Sequence, residues 1–392
     1  MPVMKGARAA RTIITAILAG LLVAILLPYL HVTMLIVRAA GIGGWAGRVA
    51  ALDARAVTET AEEIPTRHGL VHARLYRPAG RMSRSTLLVS GVHPAGVEES
   101  RLRGLARDLA AAGVGVVTPE IRDLMQYQIT ARATDIIEDS AVWLAARADL
   151  APDHRVGMMG ISFSGGLSIV AAGRPALRDH VAYVFSFGGQ GNLPRVLKYL
   201  CTGIEPPSEP GASVGVARPP HDYGVAVVLF RVVDRIVPLE QVEPLRRGVE
   251  TFLLASALAT ADPPRANELF EQARALAAGM PDPAATLMRY VNTRDVAALG
   301  PRLLPYLGTL GDDPSLSPDQ SPAPAAPVYL LHGTDDNVIP AVETRLLAAH
   351  LQKYTTVRML VTGLVTHAGV NPRARMSELW PLVSFWTDLL AN

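Results

Sequence analysis

Cysteine is nearly absent from this chain of 392 residues, which contains only Cys201. A single thiol excludes an intrachain disulfide and a cysteine-based metal cluster. The ten histidines are scattered. His68 and His72 are four residues apart, but the alternating pattern around Gly69 favours a strand over a helical face that both could share. We therefore expect neither a metal nor a redox cofactor.

An excess of charge of one sign is also lacking. Lysine and arginine together number 37 and the acidic residues number 35, so the formal net charge is +2. No concentrated basic block is present, and such a block is the feature that would favour binding to nucleic acid. We therefore predict no nucleic-acid partner. The length suffices for one large domain with an insertion, or for two domains.

One long segment, residues 12–37, lacks charged side chains apart from a titratable His31. As a helix with a rise of about 1.5 Å per residue, it would cross the roughly 30 Å hydrocarbon core of a bilayer with some tilt. We predict a single-pass transmembrane anchor at residues 1–38. The alternatives are a cleaved signal peptide, which is usually shorter, and a helix that packs on the domain.

Basic residues flank this run on both sides. Lys5, Arg8 and Arg11 precede it, and Arg38 and Arg48 follow it. Positive residues at the amino-terminal side favour a cytoplasmic N terminus, although those that follow weaken the asymmetry. On this basis the main domain is expected outside the cytoplasm.

A serine lies where a sharp turn is predicted between a strand and a helix. The segment 155–166 reads RVGMMGISFSGG, an apolar strand followed by small residues and glycines. Such a turn projects a hydroxyl towards a substrate, and it aims backbone N–H groups at the place where an oxyanion would form. Ser162 directly follows the apolar run and is the predicted nucleophile. Ser164 is the alternative, in a shifted register of the motif.

Two later loops contain an acid and a base. The predicted strand 328–333 ends in a turn with Asp335 and Asp336, and the predicted strand 357–363 is followed by a loop that contains His367. In parallel α/β sheets the loops at the carboxyl ends of the strands form the site. The serine, an aspartate and the histidine can therefore meet there, although they are distant in sequence.

Together these motifs resemble the α/β-hydrolase superfamily, in particular its serine esterases and dienelactone-hydrolase-like members. The resemblance extends from about residue 57 to the C terminus. It implies that Ser162 is the nucleophile, Asp336 the acid and His367 the base. Asp336 is preferred to Asp335 because the acid of that family usually falls three residues after the glycine of the turn, here Gly333.

The same resemblance implies an oxyanion hole. In that family the loop after the third predicted strand, here 85–89, donates one N–H group, usually just after a His-Gly pair. Ser90 and Gly91 replace that pair in this chain. The donors are therefore expected to be the backbone N–H groups of Val92 and Phe163. His93 either orients the substrate or caps the loop.

The alternation of strands and helices predicts a mostly parallel sheet flanked by helices, preceded by an antiparallel pair at Val57–Ile64 and Gly69–Tyr76. After residue 192 the pattern becomes mostly helical between proline-rich stretches, which predicts an inserted helical cap. The expected division is an anchor at 1–38, a connector at 39–55, a first core part at 56–192, the cap at 193–321 and a second core part at 322–392.

The resemblance implies a carboxylesterase-like enzyme that acts through an acyl-enzyme intermediate on a small-molecule or lipidic ester. A serine peptidase, a thioesterase or an acyltransferase would use the same triad. A catalytically inactive, anchored binding module is the alternative from a different class. The sequence does not determine the oligomeric state.

Overall fold

A mixed sheet of eight strands forms the centre of the protein in a computed structural model, which describes residues 20, 24–82, 84–207, 215–366 and 376–392. The strand order is β1-β2-β4-β3-β5-β6-β9-β10. β2 is antiparallel to both β1 and β4, and the other pairs are parallel. This mostly parallel sheet fits the predicted α/β-hydrolase architecture.

The strands of this sheet are β1 Val57–Thr66, β2 Gly69–Pro78, β3 Arg84–Val89, β4 Val114–Pro119, β5 Val156–Ile161, β6 Val181–Phe187, β9 Val328–Gly333 and β10 Val357–Thr362. A separate short ribbon pairs β7 Ile204–Glu205 with β8 Val216–Ala217. The predicted antiparallel pair at the start of the core is confirmed, with Val57 opposite Pro78.

The helices are α1 at 24–39, α2 Gly44–Leu52, α3 Ser100–Ala111, α4 Arg122–Met125, α5 Ala131–Ala146, α6 Phe163–Ala172, α7 Leu193–Thr202, α8 Asp222–Ile236, α9 Leu239–Leu258, α10 Pro263–Ala278, α11 Ala284–Thr293, α12 Val296–Leu303, α13 Leu307–Gly311, α14 Ala341–Leu351 and α15 Leu379–Ala391.

Both faces of the sheet are covered, which explains why its central strands are nearly continuous apolar runs. Successive side chains of a strand point to opposite faces. Accordingly, Met158 packs in an apolar cluster with α5, α6 and the helices after residue 192, whereas Met159 packs in a second cluster with α1, α3 and α15.

The mostly helical segment after residue 283 is divided into α11 and α12. Arg294 has a left-handed backbone with φ of 58°, which ends α11. The side chain of Asp295 then accepts a hydrogen bond from Ala298 N at 2.9 Å and begins α12.

The uncharged run at 12–37 overlaps α1 in its second half. Val32 and Leu35 are buried in the cluster with α3 and α15, whereas Ile25, Leu26 and Leu30 are exposed. Within the described part of the chain, no helix combines the length and apolar character needed to cross a membrane. The predicted anchor at 1–38 falls mostly on residues 1–19 and 21–23, which lie outside the described residues.

Candidate active site

Ser162 occupies a strained turn between β5, which ends at Ile161, and α6, which begins at Phe163. Its backbone has φ of 58° and ψ of −136°, and positive φ is uncommon for residues other than glycine. Ser162 N donates to Phe187 O at 2.7 Å, and Gly165 N donates to Ser162 O at 2.8 Å. These bonds to the neighbouring strand and the next turn hold the serine in its conformation.

Small residues make this turn possible. A Cβ placed on Gly160 would collide with Ser164 O, and one placed on Gly165 would collide with the hydroxyl of Ser186. A Cβ on Gly166 would meet the side chain of Gln190 at about the same closeness. The glycines around Ser162 are therefore required because strand and helix pass so close together.

Ser164, the alternative nucleophile, lies inside α6 rather than at the turn. It is fully buried, and its Oγ accepts a hydrogen bond from Ile161 N at 2.9 Å. The hydroxyl proton has two carbonyl acceptors, Ile161 O at 2.8 Å and Val89 O at 3.0 Å. This hydroxyl ties the ends of β5 and β3 together.

The loop after β3 lies directly against the serine. A Cβ placed on Gly91 would come within 3.3 Å of both Ile161 O and Ser162 Cβ, so the next residue, Val92, is beside Ser162. In the described part of the chain, neither Val92 N nor Phe163 N donates to a protein acceptor. Phe163 N is at the N terminus of α6, where backbone N–H groups favour an anion.

Asp336 and Asp335 have opposite environments. Asp336 is 1% exposed, and its Oδ1 accepts hydrogen bonds from Val338 N at 2.9 Å and Ile339 N at 3.0 Å. Asp335 is exposed. The structure thus turns the carboxylate of Asp336 inward and fixes it on the backbone of its own turn.

His332 is a residue of the site that the sequence analysis missed. It ends β9 next to Gly333, is fully buried, and places Nε2 3.3 Å from Oδ2 of Asp336. Nε2 also lies 2.8 Å from Ile339 O, and Nδ1 lies 2.6 Å from Thr344 Oγ1. Because a carbonyl only accepts, Nε2 carries the proton and Nδ1 accepts from the threonine. The His-Gly pair that closes the strand was the available signal.

The carboxyl ends of the strands connect these residues along one edge of the sheet. Ser162 N donates to Phe187 O at the end of β6, and Gly188 N donates to Leu331 O of β9 at 2.8 Å. Beyond β9, a Cβ on Gly333 would lie 3.3 Å from Thr366 Cα. The chain leading to residue 367 therefore passes the acid turn, although the predicted base, His367, lies outside the described residues.

Residues of α7 and of the segment that follows it contact the acid turn. His221 N and the Tyr199 hydroxyl both donate to Asn337 O, at 2.7 and 3.2 Å. Arg218 Nη1 donates to Thr334 O at 3.2 Å. Ser162 itself is only 6% exposed. The helical segment that follows β6 thus packs on the acid turn.

His93 follows the predicted oxyanion donor of the β3 loop. Its Nδ1 accepts a hydrogen bond from Ala95 N at 3.2 Å, which is the capping role considered for it. Burial lowers the pKa of His93 below the ordinary histidine value. The ring is therefore neutral near neutral pH and adds no positive charge beside the serine.

The part of the chain that the structure describes contains no group of three metal-ligating side chains placed to hold an ion. The single thiol, Cys201, is buried among apolar residues of α7, and burial raises its pKa to about 12. A thiol with such a pKa is not a nucleophile near neutral pH. Ser162 is therefore the better candidate for nucleophilic chemistry.

No family model and no curated protein sequence matches this chain. A hyperthermophilic esterase from the archaeon Pyrobaculum calidifontis is similar in structure, with 18% identity, 86% of each chain covered and a TM-score of 0.45. An acylaminoacyl peptidase of Pyrococcus horikoshii has 13% identity over 88% of this chain and 43% of its own, with a TM-score of 0.46. A dienelactone hydrolase from Anabaena variabilis has 16% identity over 85% and 96%, with a TM-score of 0.42.

Proposed function

We propose that the protein is a serine hydrolase that cleaves carboxylic esters through an acyl-enzyme intermediate. The observation that carries this proposal is the strained turn at Ser162, with the N–H groups of Val92 and Phe163 beside it. Strain of this kind persists only where the surrounding structure holds it, and it is concentrated at functional sites. A structural serine at a strand-to-helix turn would not require it.

In the proposed first half-reaction His367 removes the proton of the Ser162 hydroxyl while Oγ attacks the ester carbonyl carbon. The carbonyl oxygen becomes an oxyanion that accepts hydrogen bonds from Val92 N and Phe163 N. The tetrahedral intermediate then collapses and the C–O bond to the alcohol breaks. His367 returns the proton to the departing alkoxide, and the acyl group remains on Ser162.

In the second half-reaction water takes the place of the alcohol. His367 accepts a proton from water as the resulting hydroxide attacks the acyl carbon. The tetrahedral intermediate then collapses, the bond from the acyl carbon to Ser162 Oγ breaks, and His367 returns the proton to Oγ, which releases the carboxylic acid and the free serine. Asp336 holds the imidazole in one tautomer and stabilises its positive charge. Its place two strands from Ser162 in the sheet, on the buried side of its turn, supports this role.

Fluorophosphonate labelling of the detergent-solubilised full-length protein tests the nucleophile. We expect the wild type and Ser164→Ala to be labelled and Ser162→Ala to remain unlabelled. Ser162→Ala should also lower kcat by about 10⁴–10⁶. Labelling of folded Ser162→Ala would overturn the assignment, and a folded wild type that does not react would favour an inactive binding module.

The leaving group decides between an esterase and its alternatives. Peptidases, thioesterases and acyltransferases form the same acyl-enzyme and differ in the bond broken or in the acceptor that takes the acyl group. We expect an ester to react faster than a thioester or an anilide that carries the same acyl group. Faster cleavage of the anilide would assign a peptidase instead.

We also propose that the segment 1–38 contains a single-pass membrane anchor before the part of α1 that packs on the domain, with the hydrolase outside the cytoplasm. The uncharged run at 12–37 and the basic residues before it support this proposal. Co-flotation of the full-length protein with lipid vesicles tests the anchor. Digestion of intact cells by an external protease tests the orientation, and a protected catalytic domain would reverse it.

A further inference from the structure

The amino-terminal end of α1 lies at the edge of the sheet that carries Ser162. The rings of Tyr29 and Trp380 are stacked, with centroids 5.2 Å apart and an angle of 14°. Trp380 is in the first turn of α15. The residue just before that helix, Glu378, accepts hydrogen bonds from Thr362 Oγ1 and Gly363 N at the carboxyl end of β10. Tyr29 is therefore near the carboxyl ends of the strands.

The carboxyl-terminal end of α1 lies towards the opposite edge of the sheet. Arg38 Nε lies 3.7 Å from Asp108 Oδ1, in the last turns of α3. That helix leads into Val114, the first residue of β4, at the amino ends of the parallel strands. Between these ends Val32 and Leu35 are buried. α1 thus runs along the domain away from the site, and its first residues, 24–28, lie at the edge of the sheet that carries Ser162.

The side chains that protrude at this edge are apolar. Trp380 is 62% exposed, and residues 25–27 and Leu30 are exposed as well. In sequence they continue the uncharged run that begins at residue 12. Contiguous apolar exposure of this kind marks an interaction surface, and tryptophan and tyrosine are enriched where proteins meet the membrane interface.

The charge of the sequence that leads to this surface favours a lipid surface over a protein partner of mixed charge. Residues 1–11, before the uncharged run, contain Lys5, Arg8 and Arg11 and no acidic residue. Arg38, at the other end of α1, is instead paired with Asp108. Basic residues near a membrane are attracted to anionic lipids. A bilayer that contains such lipids is therefore the occupant that fits both the apolar surface and its charge.

We propose that the edge of the sheet carrying Ser162 faces a lipid bilayer, with residues 25–30 and Trp380 in the interfacial layer. Because α1 is packed on the domain through Val32 and Leu35, the domain is held in one orientation rather than by a loose tether. The site then takes esters presented at the membrane surface. This part of the inference rests on the proposed hydrolase function.

Fluorescence quenching tests the orientation. The full-length protein is reconstituted into vesicles of equal parts phosphatidylcholine and phosphatidylglycerol, with or without brominated acyl chains. We expect Trp380→Phe to lower the quenched fraction of tryptophan fluorescence. Trp143→Phe is the matched control, because Trp143 lies on α5, at the other face of the sheet, under the guanidinium of Arg147. We expect that Trp143→Phe will not lower the quenched fraction of tryptophan fluorescence.

A second measurement compares two presentations of the substrate. Trp380→Glu should lower the hydrolysis of an ester embedded in these vesicles by about tenfold, which is about 1.4 kcal/mol. It should leave hydrolysis of a short soluble ester unchanged. Val142→Glu on α5 is the control and should change neither rate, because Val142 is partly exposed at the face away from α1.

These outcomes separate the inference from the proposed function. If vesicles capture the protein but Trp380→Phe leaves quenching unchanged, the proposed orientation is wrong. A dimer that shields Trp380 without lipid would assign the surface to a second copy and overturn the proposal, as would equal loss on both esters in Trp380→Glu. Absence of fluorophosphonate labelling would remove the hydrolase while leaving the quenching result valid.

Discussion

Nε2 of His332 lies 3.3 Å from Oδ2 of Asp336, and both side chains are almost completely buried. The ring is itself held at both nitrogens, by Thr344 and by Ile339 O. Oδ1 of the carboxylate is held by backbone N–H groups of its own turn. The direction of the proposed catalytic acid is therefore set by the fold before any substrate binds.

Replacing His332 tests this arrangement. His332→Ala leaves Ile339 O and the Thr344 hydroxyl without a partner in a buried place, which costs about 1–3 kcal/mol of unfolding free energy. We expect kcat to fall while KM changes little, because the acid loses its fixed position. Urea unfolding and steady-state kinetics with a soluble ester measure both effects.

The matched variant is His332→Gln, whose amide N–H can still donate to Ile339 O. It should recover part of both losses. A folded His332→Ala variant with wild-type kcat would show that the ring does not position the acid.

Ser164→Ala should separate a structural serine from the nucleophile. The hydroxyl of Ser164 serves Ile161 N and a carbonyl of β3 or β5, so its removal should cost about 1–3 kcal/mol of stability. Labelling by fluorophosphonate should persist. Ser168→Ala is the control in the same helix, because Ser168 Oγ is buried without a partner in the described part of the chain. That change should be neutral or stabilising.

Arg195, which is partly exposed, and the buried Glu343 form an ion pair that ties the start of α7 to α14. Glu343 is fully buried and accepts hydrogen bonds from Arg195 Nε at 2.6 Å and from Gly191 N at 3.1 Å. Arg195→Met would leave the carboxylate buried without its cation. We expect a loss of about 3–5 kcal/mol, measured by urea unfolding.

A double-mutant cycle completes this test. Arg195→Met combined with Glu343→Gln should be less destabilised than the sum of the single changes, because no buried charge remains unpaired. Arg265→Met is the control: its partner Glu268 is exposed, so the loss should stay below about 1 kcal/mol. Additive losses in the cycle would show that the two side chains act independently.

Much of the sheet could be predicted because a strand buried on both faces leaves a continuous apolar run in the sequence. β5 and β9 are such runs, and the turns that follow them contain Ser162 and Asp336. The sequence of the apolar run at 12–37 does not show which part of it packs on the domain. Side chains that are proposed to face lipid and side chains that pack on the domain, such as Leu35, are apolar alike.

The supporting residues of the site were harder to predict than its proposed reacting groups. Ser164 and His332 act through the direction of one side chain towards a neighbouring strand, and that direction is fixed by tertiary packing rather than by sequence spacing. The break at Arg294 likewise depends on one left-handed residue within a pattern that favours a single helix. The domain boundaries and the role of His367 remain predictions.

His93 should make the stability of the protein sensitive to acid. Burial lowers the pKa of its imidazole below the ordinary histidine value. At a pH between the folded and the unfolded pKa, the unfolded chain therefore binds more protons than the folded protein. The contribution of the neutral His93 ring to the unfolding free energy is therefore fully present above the unfolded-state pKa. It is lost as the pH falls towards the folded-state pKa. His93→Gln removes this titration. From about pH 7.5 to about pH 5.5, the variant should lose less unfolding free energy than the wild type.

The comparison contains its own control. Above about pH 7.5 the His93 imidazole is neutral in both the folded and the unfolded wild type. The unfolding free energies of the wild type and His93→Gln should then differ by a constant amount. Urea unfolding at a series of pH values gives the slopes. Parallel curves over the acidic range would show that His93 is as readily protonated in the folded protein as in the unfolded chain, and that the β3 loop does not exclude its charge.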